Sequence, residues 1–297
     1  MRGPRRALLA LGLLLAAAPA PKHARAEAET HSGIKIATWN MEWLTSRKAG
    51  DPSLPDDAVP KRDEDIATLA GYAAQLDASV VALEEVDDPA LVARIFPPDR
   101  YRVLITGDQV VQRVALAVRR DIPVQQNPDF AALDVSLPGH RHLRTGLDAT
   151  LTLHGVQLRM LAVHLKSGCW EGPLQNSRKN ACEALTAQLP VLESWIAARR
   201  AEGVPFVVLG DFNRRLKADD LFLAGLESTA PMAVATAGHA SPCWGGEDFI
   251  DHILAGGPAS QWMEPQTLRV LVYRETSAEM KERLSDHCPV SVRFAVP

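Results

Sequence analysis

The chain has 297 residues, of which 46% are hydrophobic and 23% charged, and its formal net charge is −4. This composition is that of a globular protein, and it excludes collagen-like, low-complexity and disordered chains. A chain of this length can bury a sizeable core, and we find neither repeats nor a convincing linker, so we predict one domain over residues 27–297.

The first 26 residues have the pattern of a signal peptide. A basic start is followed by an apolar run over residues 7–18, which is too short for a membrane span of about twenty residues. Ala24-Arg25-Ala26 fits a cleavage site better than Ala18-Pro19-Ala20, because Pro21 would follow the latter cut. We therefore predict cleavage after Ala26, export to a periplasm or the medium, and no stable membrane anchor.

Cleavage changes the charge of the protein. Residues 27–297 contain 27 basic and 36 acidic residues, which gives a net charge of −9. An acidic protein is not a general binder of polyanions. A phosphate-containing substrate must therefore be held by a local basic patch or by a metal ion.

Hydrophobic periodicity predicts alternating strands and helices. In chain order these are a strand over Ile34–Trp39, a helix over Asp63–Leu76, strands over Ser79–Leu83, Arg102–Ile105 and Val114–Val118, a hairpin of Leu147–Leu153 and Gln157–Val163, a helix over Ser177–Arg200, and strands over Pro205–Leu209, Phe249–Leu254, Leu268–Tyr273 and Pro289–Phe294. Pro190 predicts a kink in the second helix, and Asp51–Pro60 and Gln125–His142 predict long surface loops. Helices that alternate with strands and hairpins predict a mixed sheet, or two sheets, faced by helices.

The cysteines indicate disulfides. Four cysteines in an exported chain are an even number in an oxidising compartment, where disulfides are expected. Four cysteines allow three pairings. The chain has no C-x-x-C pair, so a zinc site is a weaker interpretation.

Polar side chains follow the predicted strands. They are Asn40, Glu85, His164, Asp211 with Asn213, Asp251 with His252, and Asp286 with His287. Each alone is explained equally well as a turn former. Strand ends of like direction meet at one edge of an α/β fold, so together they predict a cluster of carboxylates, histidines and amides. Oxygen-rich clusters suit magnesium, manganese or calcium rather than zinc alone.

Six segments resemble, in order and spacing, the motifs of the endonuclease/exonuclease/phosphatase (DNase-I-like) superfamily, here as an exported, bacterial-type member. They are IATWNMEWL (36–44), VVALEEV (80–86), VHLKSGC (163–169), VVLGDFNRR (207–215), DFIDHIL (248–254) and LSDHCPV (284–290). The resemblance runs from about residue 34 to residue 294. It implies a four-layer α/β sandwich, with two mixed β-sheets flanked by helices, and divalent-metal-dependent cleavage of phosphate esters.

The resemblance also implies a metal site and a histidine dyad. Glu85 matches the direct metal ligand, Asn40 a residue that orients metal or phosphate, and Asp286 a further acidic residue near the metal. The implied cofactor is Mg²⁺ or Mn²⁺, with Ca²⁺ as an alternative. His287 matches the catalytic histidine, and Asp251 matches the carboxylate that pairs with it.

Three further residues receive catalytic roles from the resemblance. Asp211 matches the residue that positions or deprotonates the attacking water, and Asn213 matches a donor to the scissile phosphate. His164 matches the second histidine of the DNase-I and phosphatase branches. An acidic residue orients that histidine in the DNase-I branch, whereas the comparable stretch here reads Gln112-Arg113, which leaves the partner of His164 unidentified.

Basic residues near these motifs are candidates for substrate binding. Lys166 would lie on the same side of its strand as His164, where it would contact phosphate. Arg144 is expected at the rim of the site. Arg214, followed by Arg215 and Lys217, is the best candidate for the basic patch that the overall charge lacks.

The same map favours one disulfide pairing. Cys169 follows the His164 strand and Cys182 lies in the first turns of the next helix, which suggests a short bridged loop worth about 3 kcal/mol. Cys288 adjoins His287 and Cys243 shortly precedes Asp251. A bridge between Cys243 and Cys288 would brace that dyad.

We therefore expect a monomeric, exported, metal-dependent nuclease whose substrate is DNA or RNA. A phosphatase or a sphingomyelinase-like phospholipid diesterase is the alternative, since Trp43, Leu44, Trp170 and Trp244 would supply an apolar loop for a lipid, stack on bases or lie in the core. A binding module with a decayed site is less supported, because the metal ligand, both histidines and GDFN are all present.

Overall fold

Two six-stranded mixed β-sheets lie at the centre of the computed structural model, which describes residue 3 and residues 33–56, 58–174 and 180–297. The strands are β1 (Ile34–Leu44), β2 (Val80–Val86), β3 (Tyr101–Ile105), β4 (Arg113–Arg119), β5 (Val124–Gln126), β6 (Leu147–Leu153), β7 (Val156–His164), β8 (Phe206–Asp211), β9 (Met232–Val234), β10 (Ala240–Ser241), β11 (Glu247–Asp248), β12 (Asp251–Gly256), β13 (Met263–Val270) and β14 (Val290–Phe294). The helices are α1 (Asp63–Leu76), α2 (Pro89–Ile95), α3 (Asn180–Glu202), α4 (Leu221–Thr229), α5 (Ala259–Trp262) and α6 (Ala278–Leu284). Apart from residue 3, the predicted signal peptide lies outside the described residues.

Each sheet contains one central parallel pair. The first sheet has the order β13-β14-β1-β2-β4-β3, and the second has the order β5-β6-β7-β8-β12-β9. The pairs β1–β2 and β7–β8 are parallel, and the other neighbours are antiparallel. This arrangement is the mixed topology expected from a sequence in which hairpins interrupt strand–helix alternation.

The layers follow from alternating side chains within the buried strands. In β2, Val80 and Ala82 pack into the core between the two sheets, whereas Val81 and Leu83 pack with Leu69 of α1 on the outer face. Helices α3 and α4 cover the outer face of the second sheet in the same way. The protein is therefore the predicted four-layer α/β sandwich. None of its described helices is long and apolar enough to cross a membrane.

Helix α1 has the predicted bounds, whereas several other elements differ from the predictions. Helix α3 continues through Pro190, and residues 175–179 lie outside the described part. Strand β13 covers residues 263–270 rather than 268–273. It is an edge strand, so its polar residues are exposed and give no apolar signal. The predicted loop over residues 125–142 contains the end of β5 and a 3₁₀ turn at residues 131–133.

Both favoured disulfides are present. Cys169 is bonded to Cys182 across a sequence separation of 13, and Cys243 is bonded to Cys288 across a separation of 45. The first bridge joins the loop after β7 to α3. The second joins the segment before β12 to the segment before β14, on either side of the predicted dyad.

Candidate active site at the strand ends

The predicted site residues converge because of strand direction. The parallel pairs β1–β2 and β7–β8 end at one edge, and the antiparallel strands β12 and β14 begin there. Asp211 is in register with His164 on one side and with Asp251 on the other. The two parallel pairs therefore place polar side chains from both sheets at a common edge.

His287 and Asp251 form a close pair at this edge. His287 Nδ1 lies 2.8 Å from Asp251 Oδ2. Burial alone would lower the pKa of His287, but the charges of Asp251, Asp211 and Asp286 together raise that pKa well above its usual value of about 6.5. The imidazole is therefore held in its charged form at neutral pH.

The loop that carries His287 is fixed by hydrogen bonds. Ser285 Oγ donates to the carbonyl of Asn40 (2.7 Å) and accepts from the His287 N–H (3.0 Å). Tyr273 Oη donates to the His287 carbonyl, and Trp244 Nε1 donates to the Ser285 carbonyl. These contacts and the Cys243–Cys288 bridge hold the histidine against the end of β1.

Asp211 lies at the centre of the site and is almost fully buried. Its Oδ2 accepts hydrogen bonds from the side-chain amides of Asn40 (3.1 Å) and Asn213 (3.0 Å) and lies 3.9 Å from His287 Nε2. Burial, reinforced by the charge of Asp251 and opposed by that of His287, raises the pKa of Asp211 to about 7. A carboxyl with that pKa can both accept and release a proton near neutral pH.

Gly210 allows β7 and β8 to approach closely beside Asp211. Its φ is +139°, and a Cβ at this position would lie 1.9 Å from the Val163 carbonyl oxygen. Any larger residue would push the strands apart. A glycine is therefore required at position 210 of the GDFN segment, because it allows the close strand packing that places Asp211 opposite His164.

Asn213 also lies in the site, with a positive φ of 50°. Its amide Nδ2 donates to the Leu165 carbonyl (3.2 Å) and to Asp211 Oδ2 (3.0 Å). Both amide N–H groups are therefore engaged within the protein, and donation to a phosphate requires one of these bonds to be exchanged.

Glu85 and Asn40 are brought together by the β1–β2 pair. Asn40 Nδ2 lies 3.4 Å from Glu85 Oε1, and Glu85 Oε2 accepts the Trp43 N–H at 3.3 Å. Asp286 is half exposed and contacts Glu42 and His287 instead of Asn40 and Glu85. Its N–H donates to Glu42 Oε2 (2.8 Å), and its Oδ1 lies 3.7 Å from His287 Nε2. The predicted metal-site residues thus share one edge, with Asp286 on the side nearer His287.

His164 is buried beneath the carboxylates. Its Nε2 lies 3.6 Å from Asp211 Oδ2 and 3.8 Å from Glu85 Oε1, and its Nδ1 has no hydrogen-bond partner among the described residues. The described residues therefore provide no acidic partner for His164 Nδ1, as the Gln112-Arg113 stretch in the sequence indicates. Burial, aided by the positive charge of Arg144, lowers the pKa of His164 well below 6.5, so the ring is neutral.

The prediction that Arg144 lies at the rim of the site is wrong. Its side chain is buried, and its guanidinium donates to the carbonyls of His164 and Leu165. An irregular segment that leaves the buried end of a strand exposes carbonyl oxygens that need donors, and Arg144 supplies them. Arg144 thus stabilises the end of β7 through its hydrogen bonds to these carbonyls.

The predicted basic patch at Arg214 is also wrong. Arg214 is 1% exposed and is paired with Asp220, whose Oδ2 lies 2.5 Å from Nη2. The next basic residues, Arg215 and Lys217, are more exposed but are paired with Glu171 and Asp248. Their positive charge is therefore largely offset, and no free patch forms at this segment. A buried guanidinium requires such a partner, which the sequence pattern does not reveal.

Lys166 lies beside the cleft rather than in it. It lines a neighbouring groove together with His140, Arg141 and Leu143, and its Nζ donates to the Ser167 carbonyl at 2.9 Å. Its backbone N–H donates to Gln188 Oε1 of α3. Contact between Lys166 and a substrate phosphate stays a prediction.

Sequence reasoning missed Glu84, next to Glu85. Glu84 is fully buried and accepts a hydrogen bond from Thr38 Oγ1 at 3.0 Å. Burial, together with the charges of Asp251 and Asp211, raises the pKa of Glu84 well above its usual value. Burial therefore favours the protonated form of this carboxyl beneath the site. Period-two alternation after Ala82 would have indicated that this side chain faces inward.

Glu42 and Lys61 were missed as well. The Lys61 side chain is fully buried, and its Nζ lies 3.8 Å from Glu42 Oε2, the atom that also accepts the Asp286 N–H. Burial and the charge of Asp286 raise the pKa of Glu42 to about 8. Only the position of Glu42 inside the first motif pointed to it, and nothing in the sequence pointed to Lys61.

A cleft with a strongly acidic lining opens over these residues. The described residues that line it are Glu42, Trp43, Glu85, Gln112, His164, Ser167, Trp170, Asp211, Asn213, Ile250, Ala278, Lys281, Glu282, Asp286 and His287. Five of them are carboxylates, and Lys281 is the one lysine or arginine in this described lining. A hard, oxygen-preferring cation such as Mg²⁺ fits this donor set and would offset its charge.

A tighter group of potential ligands also exists. Ligand atoms of Asp211, Asp251 and His287 all lie within 4.8 Å of one another. His287 Nδ1 and Asp251 Oδ2 are engaged in a hydrogen bond with each other, whereas Asp251 Oδ1 has no hydrogen-bond partner among the described residues. The family resemblance instead implies a metal site at Glu85, Asn40 and Asp286 and catalytic roles for Asp211, Asp251 and His287, and these roles stay predictions.

Comparison with known proteins agrees with this architecture. The model of the endonuclease/exonuclease/phosphatase family matches residues 37–287. No curated protein sequence matches the chain significantly.

Several solved structures have a similar fold at low sequence identity. Truncated Caenorhabditis elegans TDP2 is 14% identical, with a TM-score of 0.60 over 88% of this chain and 97% of that chain. The 3′ phosphatase NExo from Neisseria, bound to a product DNA hairpin, is 17% identical, with a TM-score of 0.55 over 88% and 99%. D. rerio TDP2 complexed with a single-strand DNA product is 18% identical, with a TM-score of 0.56 over 89% and 99%.

Proposed function

The chain belongs to the endonuclease/exonuclease/phosphatase family, and we propose that it is an exported, divalent-metal-dependent phosphodiesterase that hydrolyses nucleic acid. The observation that carries this proposal is the arrangement of His287, Asp251 and Asp211, in which a charged imidazole faces a carboxyl whose pKa is near neutral. This arrangement matches the needs of hydrolysis at phosphorus.

The charge of the cleft supports the metal requirement. A phosphodiester carries a negative charge, and the cleft opposes five carboxyl groups with Lys281 and the charged His287, although the raised pKa values of Glu42 and Asp211 leave those two partly protonated at neutral pH. Glu85 and Asp286 would hold the metal, and Asn40, whose amide faces Glu85, would orient that ligand. A bound Mg²⁺ supplies positive charge that stabilises the non-bridging oxygens of the transition state.

The protein's own residues supply the remaining chemistry. Asp211, with its pKa of about 7, positions the attacking water and accepts its proton. His287, charged and oriented through Nδ1 by Asp251, offers its Nε2–H to the phosphate oxygens, on which negative charge accumulates. Asn213 donates to the phosphate after exchanging one of its internal hydrogen bonds.

The phospholipid alternative receives little support from the surface of the protein. Leu44 is fully buried, and Trp244 stacks on Tyr273 and donates to Ser285. Trp43 is only half exposed, and its backbone N–H is tied to Glu85. Of the four residues proposed for a lipid-binding loop, Trp170 alone is well exposed, and one aromatic side chain is not an apolar membrane-binding surface.

Two features of the chain support export. Both disulfides require an oxidising compartment to form and persist. Residues 1–26 have the signal-peptide pattern. Edman sequencing of the mature protein from its native host tests this part, and Glu27 is the expected first residue.

A substrate panel tests the proposed activity. Single-stranded DNA, duplex DNA, RNA, a nucleoside monophosphate and sphingomyelin would each be incubated with the purified protein in Mg²⁺, with and without EDTA. We expect EDTA-sensitive release of products from a nucleic acid and little release from sphingomyelin. Preferential phosphate release from the monophosphate would instead favour a phosphatase, and inactivity on every phosphate ester would support a binding module.

A further inference from the structure

Trp170 is an exposed aromatic side chain at the edge of the cleft. It is 51% exposed, whereas the other five tryptophans are buried or half-buried. It lies in the loop directly after Cys169, between β7 and α3. An aromatic ring left in water at the mouth of a catalytic cleft is a surface available to a ligand.

The loop that carries Trp170 is held rigidly. Cys169 is bridged to Cys182, and the Trp170 carbonyl accepts the Arg215 N–H at 2.8 Å. The buried Arg214 guanidinium donates to the carbonyls of Cys169 (3.1 Å) and Gly172 (2.6 Å), on either side of the tryptophan. The backbone that carries the ring is therefore already ordered in the free protein, so less conformational entropy of the loop is lost when a ligand binds.

Trp170 also stands between two adjoining spaces. Beside the metal cleft lies a second, small pocket of about 200 Å³. Five residues line both spaces and form the divider between them: Trp170, Ile250, Lys281, Asp286 and His287. A substrate with its scissile phosphate near His287 can thus extend past Trp170 into the second pocket.

The surroundings of the ring favour a planar, polar group over an alkyl chain. Glu247, Asp248 and Arg215 line the second pocket, and Lys281 lies on the divider without an ion pair among the described residues. Hydrocarbon would gain little from a single aromatic face within charged walls. A nucleobase can stack on the ring and keep its polar edges hydrated, while Lys281 faces the adjacent phosphate.

We propose that Trp170 stacks on the base of a nucleotide that flanks the scissile phosphate and thereby makes the enzyme selective for phosphodiesters with a base at that position. The inference rests on the proposed function and specifies its substrate. Stacking on an aromatic side chain changes affinity roughly fivefold to hundredfold per base.

The dinucleotide TpT has one scissile bond and therefore gives a clean test. The kcat/KM of the wild type, Trp170→Phe and Trp170→Ala would be measured on TpT and on its two singly abasic analogues, with Val272→Ala as a control at an exposed apolar residue that lines neither space. With the wild type, we expect the kcat/KM on one of the two abasic analogues to be roughly fivefold to hundredfold lower than that on TpT. The Trp170→Ala substitution should lower kcat/KM on TpT by the same factor and leave kcat/KM on that abasic analogue at the wild-type value. Trp170→Phe and Val272→Ala should both have kcat/KM values near those of the wild type.

An equal effect of Trp170→Ala on all three substrates, or no effect on TpT, would overturn the inference. Calorimetric titration with dTMP and with 2-deoxyribose 5-phosphate gives a readout that does not require turnover. Trp170→Ala should weaken dTMP binding at least about fivefold and leave the sugar phosphate unchanged. Failure of the wild type to hydrolyse TpT, single-stranded DNA, duplex DNA and RNA would reject the proposed function, whereas equal binding of dTMP by the wild type and Trp170→Ala would reject the stacking role.

Discussion

His287 Nδ1 lies 2.8 Å from Asp251 Oδ2, and the other ring nitrogen, Nε2, lies 3.9 Å from Asp211 Oδ2. One carboxylate thus fixes the ring orientation and favours its charged form, while the opposite nitrogen faces the buried carboxyl at the centre of the site. The same geometry gives Asp251 the partner that a buried carboxylate needs.

The pH dependence of activity follows from this pair. The pKa of His287 is raised, so the imidazolium is present below that pKa and is lost as the pH rises through it. Asp251→Asn removes the negative partner and lowers the pKa. The alkaline limb of the kcat/KM profile should therefore shift to lower pH, whereas His287→Ala should lower turnover about 10²- to 10⁴-fold. An unshifted alkaline limb in a folded Asp251→Asn protein would assign that limb to another group.

The two disulfides should differ in their contributions to stability. In the chain-entropy model, the 13-residue and 45-residue separations correspond to about 3 and about 4 kcal/mol. The double variant Cys243→Ser/Cys288→Ser should lower the free energy of unfolding more than Cys169→Ser/Cys182→Ser, and it should also lower kcat because Cys288 adjoins His287. Urea denaturation and turnover on one substrate measure both effects. Thiol titration of the native protein should detect no free cysteine, and four reactive thiols would refute the assignment.

His252 should make the protein less stable in mild acid. Its ring is buried between Thr236 Oγ1 (2.6 Å) and the Arg214 carbonyl (2.9 Å), and burial lowers its pKa to about 4. Between pH 6.5 and 4 the unfolded chain binds a proton that the folded chain does not, so stability is full above pH 6.5 and falls as the pH drops through this window. The loss is about 2 kcal/mol at pH 5.

His252→Gln provides the control for that linkage. The variant carries no titrating ring, so the difference in unfolding free energy between wild type and variant should narrow from pH 7.5 to pH 5. Urea denaturation at the two pH values measures it. A difference that is independent of pH would mean that the His252 ring titrates alike in the folded and unfolded states.

Removal of the positive charge should destabilise the protein far more at Arg214 than at Lys217. Arg214→Met leaves Asp220 buried without its cation and removes two donors to the Trp170 loop, so we expect a loss of about 3–5 kcal/mol. Lys217 is half exposed, so its ion pair is screened by solvent and Lys217→Ala should leave stability nearly unchanged. Thermal denaturation of both variants provides the comparison. Similar melting temperatures would mean that Arg214 is not a structural residue.

The convergence of the strand-end carboxylates and histidines was predictable from the sequence, whereas the positions of the basic residues were not. Strand-end placement brought Asp211, Asp251 and His287 to one edge, because strand direction fixes which ends meet. The burial of Arg144 and Arg214 depends on carbonyl oxygens and carboxylates supplied by distant segments. A single strand pattern contains no information about those partners.

Hydrophobic periodicity also predicts edge strands and short helices poorly. Strand β13 and helix α2 lack a long apolar period, since the first is exposed at an edge and the second has only seven residues. Helix α1, with fourteen residues and one continuous buried face, had the predicted bounds. Lys61 is the extreme case, because a surface-type residue in a proline-rich segment becomes fully buried beside Glu42.

If the strand-end edge is a metal-dependent hydrolytic centre, turnover and its response to Mg²⁺ should both depend on Glu85. The decisive measurement is the turnover of a chromogenic phosphodiester as a function of Mg²⁺ concentration, for the wild type and for Glu85→Gln, with circular dichroism to establish folding. We expect wild-type activity that saturates with Mg²⁺ and disappears in EDTA, and a Glu85→Gln protein that is folded, at least about 10²-fold slower and weaker in its Mg²⁺ response. Full wild-type activity in EDTA, or a Glu85→Gln variant with wild-type turnover and Mg²⁺ dependence, would contradict the assignment.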